Sequence, residues 1–331
     1  TSTSYTLTVT IGTPAITAAP SASGVTYGQT LAASTLSGGT VSTPGTFAFT
    51  TTSTAPGAGT AAQGVRFTPT DTTNYSSTTT TVNVTVAKAT LTATADNQTK
   101  IYGAANPTFT ATLTGFVNGE TLGTSGVTGT AAVTTTATLT SPATTYVITP
   151  ALGDLAAANY AFATFTDGVL TVGQKALTVT ADAKTKVYGA ANPALTATIT
   201  GFANGETLAT SGVTGAASVT TTATALTGVG SATLTAAVGN LVSANYAFTF
   251  TDGALTITKA PLTVTPVAAS RPFGQANPGF AVAYQGLATG DTAAVLATAP
   301  EVSTTAGARS PAGQYPLQAG GGASDKYIFN Y

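Results

Sequence analysis

The chain has 331 residues, a formal charge of -1 and 6% charged side chains, with no histidine, cysteine, methionine or tryptophan. The missing histidine and cysteine remove the commonest acid–base, nucleophilic and transition-metal chemistry, and without disulfides each folded unit must rest on apolar burial and sheet hydrogen bonds. Scattered single lysines and arginines make no cationic surface for phosphates, and no apolar run reaches the roughly 18 residues of a membrane span.

In chain order, Tyr5–Thr10 reads "YTLTVT", apolar at Tyr5, Leu7 and Val9 and hydroxylated between them. That period of two is a strand, and it matches the later runs "GVLTVG" and "GALTIT". Residues 1–12 are therefore expected to be the closing strand of a preceding module, which makes the chain a piece of a longer array. Residues 13–87 form a first complete module, with Tyr27-Gly28 near its start, Asn74-Tyr75 near its end and the closing run Thr81–Val86.

From residue 88 the sequence repeats itself. "QTKIYGAANPTFTATLTGFVNGE" at Gln98–Glu120 returns 86 residues later as "KTKVYGAANPALTATITGFANGE" at Lys184–Glu206, and "RPFGQANP" carries a degraded third copy. The modules fall at 88–174, 175–259 and 260–331, joined by two or three residues in "VAKATLT", "VGQKALT" and "ITKAPLT". Joints this short favour a stiff linear array over flexible beads. Within each module Leu91–Ala95, Leu177–Ala181 and Leu262–Thr265 alternate apolar with threonine, as half-buried strands do. Asp167-Gly168 and Asp252-Gly253 lie between two such runs and predict hairpin turns. In "NGETLATSG", Asn204 predicts a cap on at most one helical turn. The expected fold is all-β, a linear tandem array of small antiparallel β-sandwich or β-grasp-like modules.

At the recurring words, Tyr102-Gly103 with Pro107, and Tyr188-Gly189 with Pro193, read as a backbone device: glycine relaxes the chain and proline fixes its exit from the first strand. Tyr160 and Tyr246 read as core aromatics. Lys100 and Glu120, Lys186 and Glu206, and Arg271 and Asp291 all stand 20 residues apart with their signs kept, which predicts one cross-loop ion pair per module. Glu120 and Asp154 make a carboxylate pair of the glycosidase kind on paper, but Asn240 replaces the aspartate in the next copy. No catalytic, cofactor or metal residues are expected. Asn74, Asn83 and Asn97 match the glycan-acceptor pattern.

The words "YGAANP", "GFxNGE" and "NYAF" followed by "DGxLTV" resemble the MBG-type repeats of large bacterial surface adhesins, and residues 13–87 resemble a bacterial immunoglobulin-like repeat. The resemblance implies a secreted or cell-surface location, a structural role in a stalk or fibre, and no enzymatic activity. The other class to weigh is an array of carbohydrate- or surface-binding modules acting by avidity. Expected partners are further repeats of the same chain, and identical chains if Tyr5, Leu7 and Val9 complete the sheet that the last module leaves open; nucleic acid and membrane insertion are not expected.

Overall fold

The computed structural model describes residues 2–331. The chain divides into two compact units, one comprising Thr1–Lys100 with Ala104–Gly173 and the other Ile101–Gly103 with Gln174–Tyr331. Strands dominate throughout, and helical structure among the described residues is limited to two 3-10 turns, Leu31–Ala33 and Ala293–Val295.

The first unit opens with short strands β1 (Ile16–Ala18), β2 (Ser21–Ala22), β3 (Val25–Thr26), β4 (Leu36–Ser37) and β5 (Thr40–Val41). Longer strands β6 (Gly45–Phe49), β7 (Gly59–Pro69) and β8 (Thr78–Ala87) follow. The main sheet has the order β3-β8-β7-β6, while β1-β5 and β2-β4 are two-stranded ribbons. β8 shows the clean alternation expected of one wet face: Val82, Val84 and Val86 are buried between exposed Thr81, Asn83 and Thr85.

The second sequence module supplies β9 (Ala89–Ala95), β10 (Gln98–Ile101), β11 (Ala111–Thr114), β12 (Ala132–Thr135), β13 (Thr145–Ala151), β14 (Tyr160–Thr166) and β15 (Gly168–Gly173). They form two sheets, β11-β9-β14 and β10-β15-β13-β12.

The second unit repeats this plan with β16 (Lys175–Ala181), β17 (Lys184–Val187), β18 (Ala197–Thr200), β19 (Ser218–Thr220), β20 (Gly230–Ala237), β21 (Tyr246–Thr251) and β22 (Gly253–Thr258). Its sheets are β18-β16-β21 and β17-β22-β20-β19. The last repeat supplies β23 (Ala260–Pro266), β24 (Val282–Gln285), β25 (Glu301–Thr304), β26 (Leu317–Gly320) and β27 (Tyr327–Asn330), in sheets β24-β23-β27 and β25-β26.

The Leu-Thr-Val-Thr runs do form half-buried strands. Leu177 and Val179 are 0% exposed and Leu255 is 0% exposed, so the apolar faces of β16 and β22 meet in the core between the two sheets. The all-β expectation holds, but the pairing is mixed and not purely antiparallel. β14 runs parallel to β9, β21 to β16, β22 to β17 and β27 to β23.

That parallel pairing also overturns the hairpin reading of Asp167-Gly168 and Asp252-Gly253. β14 and β15 lie in different sheets, as do β21 and β22, so each aspartate–glycine pair is a crossing point from one sheet to the other. The glycine is required there for close approach. A Cβ on Gly168 would lie 2.4 Å from the carbonyl oxygen of Ala95, and one on Gly253 2.3 Å from that of Ala181.

Asn204 is no helix cap. Asn118 and Asn204 have φ of 57° and 54°, and Gly119 and Gly205 follow at 72° and 74°. Left-handed backbone at both central positions is the primed turn that Asn-Gly favours. The turn closes with the Glu120 amide donating to the Val117 carbonyl and the Glu206 amide to that of Ala203.

Candidate functional site: tyrosine–carboxylate clamps

The primed turn delivers one carboxylate to a fixed place. Glu120 follows Asn118-Gly119 directly and accepts two phenolic hydrogen bonds, from Tyr27 at 2.5 Å on Oε1 and from Tyr160 at 2.6 Å on Oε2. Tyr160 sits at the start of β14, 1% exposed, and its oxygen also accepts the Val117 amide at 3.1 Å. The two rings meet edge to face at 5.4 Å, and Phe116 adds a second edge contact at 5.7 Å. Such geometry suits the aromatic quadrupole.

The second unit holds two more copies. Tyr102, whose turn belongs to that unit, donates to Glu206 at 2.5 Å, Tyr246 donates to Glu206 at 2.6 Å, and the Ala203 amide donates to the Tyr246 oxygen at 2.9 Å. Its rings again pack edge to face at 5.4 Å. In the third clamp Asp291 replaces glutamate. One methylene shorter, it receives both hydroxyls on a single oxygen, Tyr188 at 3.0 Å and Tyr327 at 2.7 Å. Lys326 Nζ stands 5.0 Å from the centre of the Tyr188 ring and adds a cation–π contact that the other two clamps lack.

Each clamp unites a tyrosine of one repeat with the turn and strand of the next, across 93, 104 and 103 residues of sequence. The tyrosine's own glycine permits the approach. Gly103 has φ of 80° and a Cβ there would stand 2.4 Å from the Ala203 Cβ; Gly189 has φ of 82° and would stand 2.6 Å from the Ala288 Cβ. Thus Tyr-Gly is more than a relaxed exit from a strand.

The electrostatics follow from the bonding. The phenols of Tyr160 and Tyr27 hold the Glu120 carboxyl below its ordinary range, and Tyr327 does the same for Asp291. In return the phenols are harder to ionise. Hydrogen bonding to the carboxylate leads for Tyr27 and Tyr102, while burial leads for Tyr246 and Tyr327 and pushes both up to about 12.

The expected ion pairs do not form. Lys100 Nζ donates to the carbonyls of Ala104 at 3.1 Å and Thr138 at 2.5 Å, and Lys186 does the same to Ala190 and Thr224 at 3.1 and 2.6 Å. Arg271 is bound to Asn277 Oδ1 and to the carbonyls of Pro272 and Gly307. The 20-residue spacing therefore records two separate demands: a cation to gather loop carbonyls inside its own repeat, and an anion to gather phenols between repeats. Lys100 is 9% exposed, and burial lowers its affinity for the proton.

Pro107 and Pro193 lie half-buried in the loops leaving β10 and β17, and the preceding asparagines hold those loops. Asn106 Nδ2 donates to the Ala137 carbonyl and Asn192 Nδ2 to that of Ala223, at 2.7 and 2.6 Å. Asp154 and Asn240 share one task, accepting the amides of Thr130 and Ala216 at 2.7 Å, which is why an amide replaces the acid without loss. Neither is brought to the Glu120 or Glu206 clamp. Tyr5, Leu7 and Val9 lie in a segment without strand pairing, at 92, 90 and 85% exposure.

Sequence reasoning missed the clamps because it paired charges within one repeat. The available signal was the co-recurrence of three words, Tyr-Gly, Asn-Gly-Glu and Asn-Tyr, whose polar groups complete one another only when the first belongs to the preceding repeat.

The family model for the MBG domain (YGX type) matches residues 91–171, 177–256 and 262–331. No curated protein matches significantly. Among solved structures, the I9–I11 tandem from titin shares 10% identity over 74% of this chain and 99% of its own, at a TM-score of 0.20. Drosophila N-cadherin EC1-4 shares 11% identity over 73% of this chain and 76% of its own, at a TM-score of 0.19.

Proposed function

Because the chain belongs to the MBG domain (YGX type) family, with three tandem copies over most of its length, we propose that it is a structural segment of a large bacterial surface adhesin or filament. Its work is to carry a distal function away from the cell, through repeats that are fastened to one another. The observation that carries this reading is the clamp. Three times, recurring words of the repeat are spent on joining neighbours, and the tyrosines involved, among them Tyr27, Tyr102, Tyr188 and Tyr246, are at most 8% exposed. An avidity array of carbohydrate-binding modules needs recurring, fully exposed aromatic platforms, whereas the recurring Tyr102 and Tyr188, and Tyr160, Tyr246 and Tyr327, are buried.

The test is a pair of epitope tags on the parent protein, flanking residues 88–331, imaged on intact cells. Both tags label from outside, and deletion of residues 175–259 brings the distal tag closer to the cell. Tags inaccessible without lysis, or a distal tag whose position ignores the deletion, overturn the proposal.

A further inference from the structure

Of all the asparagines in the chain, only Asn118 and Asn204 are followed by glycine. Asparagine is a thermolabile residue, and its weakness is attack on its own side chain by the next backbone nitrogen, which closes a succinimide ring. A side chain on that next residue crowds the ring, and glycine has none. Both pairs are exposed, and a Cβ built on Gly119 or Gly205 would meet nothing within 4 Å, so water reaches the reacting atoms. Neither glycine amide donates a hydrogen bond to any of the described residues, which leaves the attacking nitrogen unengaged.

The position of the two asparagines gives the reaction a consequence. Each opens the primed turn that delivers a clamp carboxylate, and its side chain also reaches the clamp tyrosine. Hydrogen bonding to Glu120 leads in making the Tyr27 phenol harder to ionise, and the Asn118 amide works against it; Glu206 and Asn204 stand in the same relation to Tyr102. The third clamp has no such group. Its turn reads Ala288-Thr289-Gly290-Asp291, closed by the Asp291 amide on the Ala288 carbonyl at 2.9 Å, and threonine has no amide to lose.

We propose that Asn118 and Asn204 are sites of spontaneous deamidation, through which the first and second clamps loosen with age while the third does not. The Gly119 nitrogen gives up its proton and bonds to Cγ of Asn118, Nδ2 leaves as ammonia, and a succinimide joins the two residues. Water then breaks one of the ring's carbon–nitrogen bonds. Cleavage at Cγ leaves aspartate, and cleavage at the main-chain carbonyl carbon leaves isoaspartate, with the chain running through the former side chain. One water is consumed and one ammonia released, with no other co-reactant. Aspartate replaces an amide donor at the phenol with a second carboxylate beside Glu120. Isoaspartate lengthens the main chain of a tight primed turn closed by the Glu120 amide on the Val117 carbonyl at 3.0 Å. Either product weakens the grip on Tyr27, and the same chemistry at Asn204 weakens that on Tyr102. The inference rests on the clamps alone and holds whether or not the chain serves as a stalk.

The test incubates the full chain in mildly alkaline buffer and samples it by peptide mass spectrometry and amide exchange. Conversion at Asn118 and Asn204 is expected to run at least about tenfold faster than at Asn97 and Asn240, which are also exposed but precede Gln98 and Leu241, side chains that crowd the ring. As it proceeds, protection is expected to fall at the Glu120 and Glu206 amides and to persist at that of Asp291. A chain carrying Asn118→Asp and Asn204→Asp is expected to show the loss from the start. A chain carrying Asn118→Gly and Asn204→Gly, which keeps the left-handed turns, is expected not to change with incubation. Both asparagines intact after Asn97 and Asn240 have converted overturns the proposal. So does conversion that leaves exchange at Glu120 and Glu206 unaltered, and so does a glycine-substituted chain that loosens as fast as the unaltered one.

Discussion

The third and last repeats begin with related words and end as different structures. Lys186 lies in a strand at 6% exposure and Tyr188 is 2% exposed in a clamp, whereas Arg271 lies in no strand and Phe273 is 69% exposed. Asn192 and Asn277 make the same bond nonetheless, to the carbonyls of Ala223 and Ala306 at 2.6 and 2.7 Å. The loop is therefore held locally, by a polar side chain reaching a nearby carbonyl. The strand before it exists only where β22 supplies a partner. The loop needs only a nearby carbonyl, whereas the strand needs the distant β22 of its own repeat.

The sharpest way to break the contrast is to weaken the strand that makes it. Leu255→Ala opens a cavity under β22 and is expected to destabilise the third repeat by about 2–5 kcal/mol, measured by denaturant unfolding. Tyr315→Ala, at a position of the last repeat that is 37% exposed, is expected to cost about 0.5 kcal/mol or less. Equal effects would mean that the last repeat is packed as well as the third.

Two glycines come next. Gly189 and Gly274 have φ of 82° and 88°, but a Cβ on Gly189 strikes Ala288 at 2.6 Å while one on Gly274 meets nothing within 4 Å. Gly274→Ala is expected to cost only the backbone strain of roughly 1–2 kcal/mol. Gly189→Ala adds overpacking of about 1–3 kcal/mol. The difference between the two measures the closeness of the repeats at that junction.

Tyr246→Phe removes a buried hydroxyl that both donates to Glu206 and accepts from Ala203, an expected loss of about 1–3 kcal/mol in unfolding free energy. Tyr315→Phe removes only an exposed bond to the Pro311 carbonyl and is expected to change little.

The smallest effect is the dependence on pH. Asp291 and Glu120 have depressed folded pKa values, so their contribution is fully present above the ordinary carboxylate range and is lost as pH falls through the depressed values. Tyr246 and Tyr327 have raised values of about 12, so their contribution is present below the ordinary phenol range near 10 and fades as pH rises toward 12. A melting temperature flat from about pH 6 to 9 and falling on both flanks is the expected profile, and Asp291→Asn is expected to remove only its own share of the acid flank, since Glu120, Asp96 and Asp182 are depressed as well.

What was legible in the sequence was local. The alternation of Leu177, Val179 and Ala181 with threonine states which face is buried, because strand geometry fixes that within a few residues. Asp167-Gly168 states a change of direction but not its kind, since a hairpin and a crossing between sheets both need a small residue, and only the distant carbonyl of Ala95 distinguishes them. Asn204-Gly205 was readable as a primed turn, and the helix-cap reading gave asparagine the wrong one of its two habits. The 20-residue spacing of Lys186 and Glu206 was a true regularity with the wrong cause, because the partners of both are set by topology: Thr224 lies 38 residues from Lys186, and Tyr102 lies 104 residues from Glu206.

The parallel registers have a mechanical consequence. β16 lies beside β21, and β17 beside β22, with members of each pair pointing the same way. Tension that enters at the start of β16 and leaves at the end of β22 drags these neighbours past one another lengthwise. The rungs of each ladder then bear the pull together, so they must fail in concert and cannot be peeled apart singly.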